Sequence, residues 1–213
     1  MNYMNGQKYP RTYHLPWSLG TTSDDKTLSS IEHFIGKKVV VTEKLDGENF
    51  TLSHSCCHAR SVDSVNHESR TWLKQFWGSI KTDIPTSIKI HGESMFAQHS
   101  IFYSELPSYF IAFGVTENQK FLSWDETQFY CESLGIVTAP VLYTGVFDED
   151  VVKGLFTGKS CYGDTQEGYV VRMYDGFDVT DFKSNVAKFV RKNHVQTSQH
   201  WMYQKITKNT LVL

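Results

Sequence analysis

Lys38-Val39-Val40-Val41-Thr42-Glu43-Lys44-Leu45-Asp46-Gly47-Glu48-Asn49-Phe50 is the stretch on which the fold turns. Three consecutive valines favour extended backbone, because β-branched side chains pack well on a pleated surface. Lys38 to Thr42 therefore reads as a strand. Asp46-Gly47 reads as a turn, and Phe50 to Cys56 as the strand that returns. A lysine between a strand and a tight turn is held near the sheet surface. Partial burial and nearby cations both disfavour the ammonium, so Lys44 is expected to serve as a nucleophilic amine. The Asp46 carboxylate can orient that amine or a ribose hydroxyl. Taken alone, Lys-x-Asp-Gly is weak and fits a surface β-hairpin better, and its neighbours along the chain must decide.

On the C-terminal side, Trp72, Phe76 and Ile80 recur at helical spacing within Glu68 to Ile80. Ile88 to Glu93 and Tyr109 to Val115 read as strands. Ser123, with Glu126 three residues on, predicts a capped helix ending near Gly135. Val141 to Thr144 reads as a short strand and Asp148 to Phe156 as a short helix. Gly168 to Met173 and Val186 to Arg191 complete the strands. The sum is an α+β chain of mostly antiparallel sheet with flanking helices. Residues 1–36 look irregular, with Pro10, Pro16 and Gly20. Nothing after Arg191 has the five-strand pattern of an OB barrel, so 192–213 reads as a basic helix or tail. The 213 residues are expected to form one domain.

With 40% hydrophobic residues the chain can bury a sizeable core. Its net charge of −2 makes no general case for a polyanionic partner. The distribution says more. Glu117 to Asp181 holds 12 acids and 4 bases, whereas Phe182 to Leu213 holds 6 bases and no acid. Four scattered cysteines form no disulfide framework, and the N-terminus has no apolar signal region. A cytoplasmic protein with no membrane segment is expected. His54-Ser55-Cys56-Cys57-His58 invites a zinc reading, but ligands so crowded on one strand point to alternate faces.

Glu43-Lys44-Leu45-Asp46-Gly47 resembles the nucleophile motif of covalent nucleotidyltransferases, and the flanking Glu43 and Asn49-Phe50 make it most similar to the RNA ligase family. Further segments resemble that family's motifs in order. These are His58-Ala59-Arg60-Ser61, His91-Gly92-Glu93-Ser94, Tyr109 to Val115, Glu167-Gly168-Tyr169-Val170-Val171, and Val186 to Arg191. The flanks RTYHLPWS and KFVRKNHVQTSQHW look like those of a small, single-domain bacterial and phage group.

The resemblance implies an adenylation fold and an ATP-dependent RNA ligase joining 5′-phosphate to 3′-hydroxyl ends. Lys44 would carry AMP, with Mg²⁺ or Mn²⁺ present. Arg60 would bind ribose or phosphate, Glu93 the ribose, Phe113 the adenine face, Glu167 the metal and Lys188 the α-phosphate. Glu43 could accept from the adenine amino group, and Asn49 would matter in the later steps. Lys183, Arg191, Lys192, Lys205 and Lys208 are candidates for the polynucleotide surface. One departure stands out: the last motif usually has two lysines flanking one residue, and here Val190 takes the second place. DNA ligase, capping-type guanylyltransferase and a non-catalytic RNA-end-binding module are the alternatives.

Overall fold

The computed structural model describes residues 8–60, 67–192 and 206–212. In chain order its elements are β1 (Tyr13–His14), β2 (Lys38–Lys44), β3 (Glu48–Ser53), β4 (Cys57–Ala59), α1 (Thr71–Ile80), β5 (Ile88–Ser94), β6 (Phe110–Glu117) and β7 (Lys120–Phe121). There follow α2 (Trp124–Ser133), β8 (Val137–Thr138), β9 (Val141–Val146), α3 (Glu149–Gly154), β10 (Gly168–Met173), β11 (Phe177–Asp178), α4 (Phe182–Asn185) and β12 (Val186–Val190). The strands make two sheets. The first has the order β1-β12-β10-β2-β9 and is antiparallel except for the parallel pair β1–β12. The second runs β11-β7-β6-β5-β3-β4, all antiparallel, with β8 added parallel to β6. This is the expected α+β class. Among the described residues no helix is long and apolar enough to cross a membrane.

Each sheet covers its outer face with its own core. Val39, Val41, Tyr169, Val171 and Phe189 of the first pack on Leu15, Phe34 and Val152. Phe50, Leu52, Ile88, Ile90 and Val115 of the second pack on Leu73 of α1 and Cys131 of α2. The α2 helix starts with the predicted capping box, in which Ser123 and Glu126 satisfy each other's backbone donors. The inner faces of the two sheets are left to look at each other across a cleft.

The hairpin reading of residues 38–56 is corrected. β2 pairs with β10 and β9, whereas β3 pairs with β4 and β5, so the two strands beside Asp46-Gly47 lie in different sheets. A continuous valine run is buried on both faces, which suits a central strand between equally apolar partners rather than one arm of a surface hairpin. Gly47 does not take a positive φ. It is needed for space: a Cβ there would lie 2.5 Å from the Ser94 carbonyl oxygen and 2.9 Å from Glu93 Cγ. The returning strand also stops at Ser53, with β4 a separate strand.

The termini differ from expectation as well. Within the segment read as irregular, β1 pairs with β12 in the register His14↔Lys188. Beyond residues 193–205, which lie outside the described residues, the chain is no loose tail: Lys208 bridges Ala97 and Leu211 bridges Leu106. Asn209 is buried. It accepts from Tyr103 N at 2.9 Å and donates to the Met95 carbonyl at 2.7 Å.

Candidate active site

A cavity of about 320 Å³ opens between the two inner faces. Strand register explains which side chains reach it. In the first sheet Lys44 lies opposite Gly168, and Val170 lies opposite both Thr42 and Lys188, so Lys44 and Lys188 project from neighbouring rows. In the second sheet Asn49 lies opposite Glu93, and Glu93 opposite Ile111, two residues before Phe113. Glu43, Lys44, Asn49, Arg60, Glu93, Phe113 and Lys188 all line the one cavity. Arg60 sits just beyond β4, and its Nε donates to the Tyr9 carbonyl at 3.2 Å.

Lys44 Nζ is 2.6 Å from Glu167 Oε2. Glu167 is buried behind the lysine and touches it without entering the cavity wall. Burial pushes Glu167 up to about 7, helped by Asp46 and opposed by Lys44. Burial likewise pushes Glu93 up to about 8, with Glu167 and Asp46 adding repulsion. The expectation that Lys44 rests as a neutral amine is corrected. Burial does pull its pKa down, but Glu167, Glu93 and Asp46 outweigh it and hold the ammonium above its ordinary value.

Asp46 is not in the cavity wall. Its Oδ2 accepts from Ser100 N (2.8 Å), Ser100 Oγ (2.5 Å) and Ile101 N (3.0 Å), and its own N–H donates to Tyr103 Oη at 2.9 Å. It therefore anchors the segment that follows Lys44 to a loop, and acts on Lys44 through charge alone. Among the described residues, Glu43 and Asn49, with Arg172 Nη1, are the cavity residues that hold a buried polar atom without a partner. Glu43 is 3% exposed; its Oε2 accepts from Cys161 N at 2.8 Å, while its Oε1 is buried and unpaired. Asn49 Oδ1 is also buried without a partner. Unpaired buried acceptors in a cavity wall are costly, and a ligand that donates to them relieves that cost.

None of the candidates for the second basic position of the last motif reaches the cavity wall. Val190 is buried, and neither Arg191 nor Lys192 lines the cavity. Arg11 and Arg172 do, along with Tyr9, Asp24 and Asp25. Arg172 offered a signal, being a charged residue inside a valine-rich central strand; its Nη2 donates to Tyr9 Oη at 3.1 Å. Arg11 falls in the flank RTYHLPWS, whereas Tyr9, Asp24 and Asp25 gave no signal, since no local pattern marks which loop folds over a distant strand. Of the basic candidates, Lys183 and Lys208 are exposed and lean on separate aromatics, Tyr13 and Phe96, while Lys192 is exposed and Arg191 half-buried. Lys205 lies outside the described residues.

Two facing sheets enclose a lysine, four carboxylates and a half-buried aromatic, the arrangement of a nucleotidyltransferase fold. The chain belongs to the RNA ligase family, whose family model matches residues 37–190. Among solved structures it is similar to a Naegleria gruberi RNA ligase with pyrophosphate, at 19% identity and TM-score 0.55, covering 76% of this chain and 52% of that one. An archaeal ATP-dependent RNA ligase gives 15% identity and TM-score 0.56, covering 88% and 49%. A mutant of the Naegleria gruberi enzyme with ATP and Mn gives 14% and 0.54, covering 89% and 62%. The chain thus spans about half the length of the structures it matches. A search of curated proteins gives no match.

Proposed function

We propose that this chain is an ATP-dependent RNA ligase that seals 5′-phosphate and 3′-hydroxyl ends through a lysyl-AMP on Lys44. The observation that carries the reading is convergence. Lys44, Glu43, Asn49, Arg60, Glu93, Phe113 and Lys188 come from β2, β3, β5, β6, β12 and the end of β4, and meet in one cavity. A chance match to the motif would scatter them.

In this reading the adenine lies against Phe113, which is only partly buried and meets Tyr9 edge-on at 5.2 Å between ring centres. Glu43 Oε1 accepts from the adenine amino group, and Glu93 takes the ribose. The Lys44 nitrogen forms a bond to the α-phosphorus while the bridging P–O bond breaks and pyrophosphate leaves with the electron pair. Lys188 and Arg11 face the charge that develops on the phosphate oxygens. Lys44 must first release to water the proton that its ion pair with Glu167 now holds.

Three carboxylates, Glu167, Glu93 and Asp46, act on this one ammonium. Among the described residues no group of three ligating side chains could hold a metal by itself, so Glu167 is the single protein ligand that would hold Mg²⁺ or Mn²⁺, with phosphate oxygens and water supplying the rest. A cation held there would screen the phosphates and offset the carboxylate charge that keeps Lys44 protonated. AMP then passes to the 5′-phosphate of the polynucleotide, and the 3′-hydroxyl displaces it. Lys183, Arg191, Lys192, Lys205 and Lys208 are proposed to meet the RNA backbone, with an affinity that falls as salt rises.

Mass spectrometry of the purified chain, with and without ATP and Mg²⁺, tests the chemistry. A gain of one AMP on the peptide holding Lys44, absent in Lys44→Ala, is expected. An adduct that survives Lys44→Ala refutes the reading. A panel of nicked RNA, DNA and hybrid duplexes then separates RNA sealing from DNA sealing.

A further inference from the structure

The N-terminal segment lies outside the span matched by the family model, yet Arg11, Thr12, Asp24 and Asp25 form one side of the cavity. An acid in a pocket for a polyphosphate calls for an explanation, since two negative charges a few ångströms apart repel. Asp25 is not a wandering surface group. Its Oδ2 accepts from Thr22 N and Thr22 Oγ1, both at 3.0 Å. Its Oδ1 lies 3.2 Å from His14 Nε2 and 3.5 Å from Lys188 Nζ. His14 is fully buried, with Nδ1 2.7 Å from Ser18 Oγ, and its backbone is in register with Lys188 through the β1–β12 pair. Backbone pairing, a buried imidazole and a turn at Thr22 together fix this carboxylate opposite Lys188.

We propose that Asp25 is a positioning residue for Lys188: in the nucleotide-free site it keeps the Lys188 ammonium charged and aimed, and it yields that contact to the incoming α-phosphate. The role of the phosphate rests on the ligase reading; the coupling of Asp25 to Lys188 does not. The groups facing Lys188 are Lys44 from β2, Glu167 beside β10, and Asp25 with His14 from the N-terminal segment. Burial and then Lys44 lower the Lys188 pKa, against the pull of Asp25 and Glu167. Without its fixed counterion this amine would shed its proton more readily, and an uncharged amine does little for a phosphate. Asp25 itself stays ionised. Burial works against this, but the Thr22 bonds, Lys188 and His14 bring it well below the usual carboxylate range.

Trace labelling with acetic anhydride over a pH series, on the full chain without nucleotide and read by peptide mass spectrometry, reports the neutral fraction of Lys188. Asp25→Asn should lower the midpoint by about one pH unit, or about tenfold more labelling at a pH below it. Asp25→Glu should follow the wild type. An unchanged midpoint in Asp25→Asn overturns the proposal. In lysyl-AMP formation, Asp25→Asn should lose kcat/KM for ATP more than kcat, increasingly so as pH rises. Equal losses at every pH would overturn it in favour of a purely structural role. A shifted midpoint in a chain whose wild type never gains AMP would support the coupling and refute the ligase reading.

Discussion

Replacing Glu43 by glutamine should change which nucleotide the pocket takes. Glu43, a residue of the cavity wall, sits 3% exposed with Oε2 committed to Cys161 N and Oε1 buried and unpaired. An orphaned buried acceptor costs about 1–3 kcal/mol. The amino group of adenine relieves that cost, whereas the oxygen at the same place on guanine repels the carboxylate. In Glu43→Gln the Cys161 N–H still requires an acceptor, so the amide oxygen takes the Oε2 position. The NH₂ group must then face the cavity, turning an acceptor into a donor. Losing a hydrogen bond to a charged group removes about 1.5–3 kcal/mol, about ten- to more than a hundredfold in preference for ATP over GTP. Lysyl-nucleotide formation with labelled ATP and GTP in competition measures the ratio directly. A ratio equal to the wild type's, in a variant that folds and still labels Lys44, refutes the account of the pocket.

Phe113→Ala should raise the KM for ATP about ten- to a hundredfold, the range for losing one stacked base, with little change in RNA binding. Loss of both together with unfolding would make Phe113 a core residue only. Asn49→Ala should spare lysyl-AMP formation and slow sealing, and gel assays of the two steps would contradict this if the first step failed instead. His91 accounts for a pH dependence. Burial, with Arg172, Lys89 and His58, lowers its pKa to about 3, so it is neutral between Thr51 and Thr116. Below an unfolded pKa of about 6.5 the unfolded chain takes up a proton that the folded chain refuses, and stability is lost as pH falls toward 3, by about 1.4 kcal/mol per unit. The gap in urea midpoint between wild type and His91→Gln should therefore narrow from pH 7 to pH 4; a constant gap would argue against it.

The parts of this molecule that were legible in the sequence are those set by neighbours along the chain. Gly168 to Met173 has the boundaries of β10, and the Ser123–Glu126 box starts α2 where it was expected. The seven cavity residues were legible because motif order survives folding, even though their distances do not appear in sequence. What misled was partner choice. Asp46-Gly47 predicts a reversal, but which strand lies beside β2 depends on β10, more than a hundred residues later, offering an equally apolar face. The resting charge of Lys44 was misjudged for the same reason, since its counterion Glu167 is 123 residues away. Tyr9, Asp25 and Asn209 carry no motif, and their importance comes only from the surfaces they fold against.

The grip of Asn209 on Tyr103 and Met95 bears on how this chain is cut into fragments. A piece trimmed to the 37–190 span would keep Lys44 and every strand that presents it. It would also strip away the amide that pairs Tyr103 N–H, the carbonyl that accepts from Tyr109 Oη, and hence the support beneath the hydroxyl that receives Asp46 N–H. Excision at the family boundary would thus loosen the backbone next to the nucleophile from underneath, and an inactive fragment would say nothing against the chemistry of the intact chain.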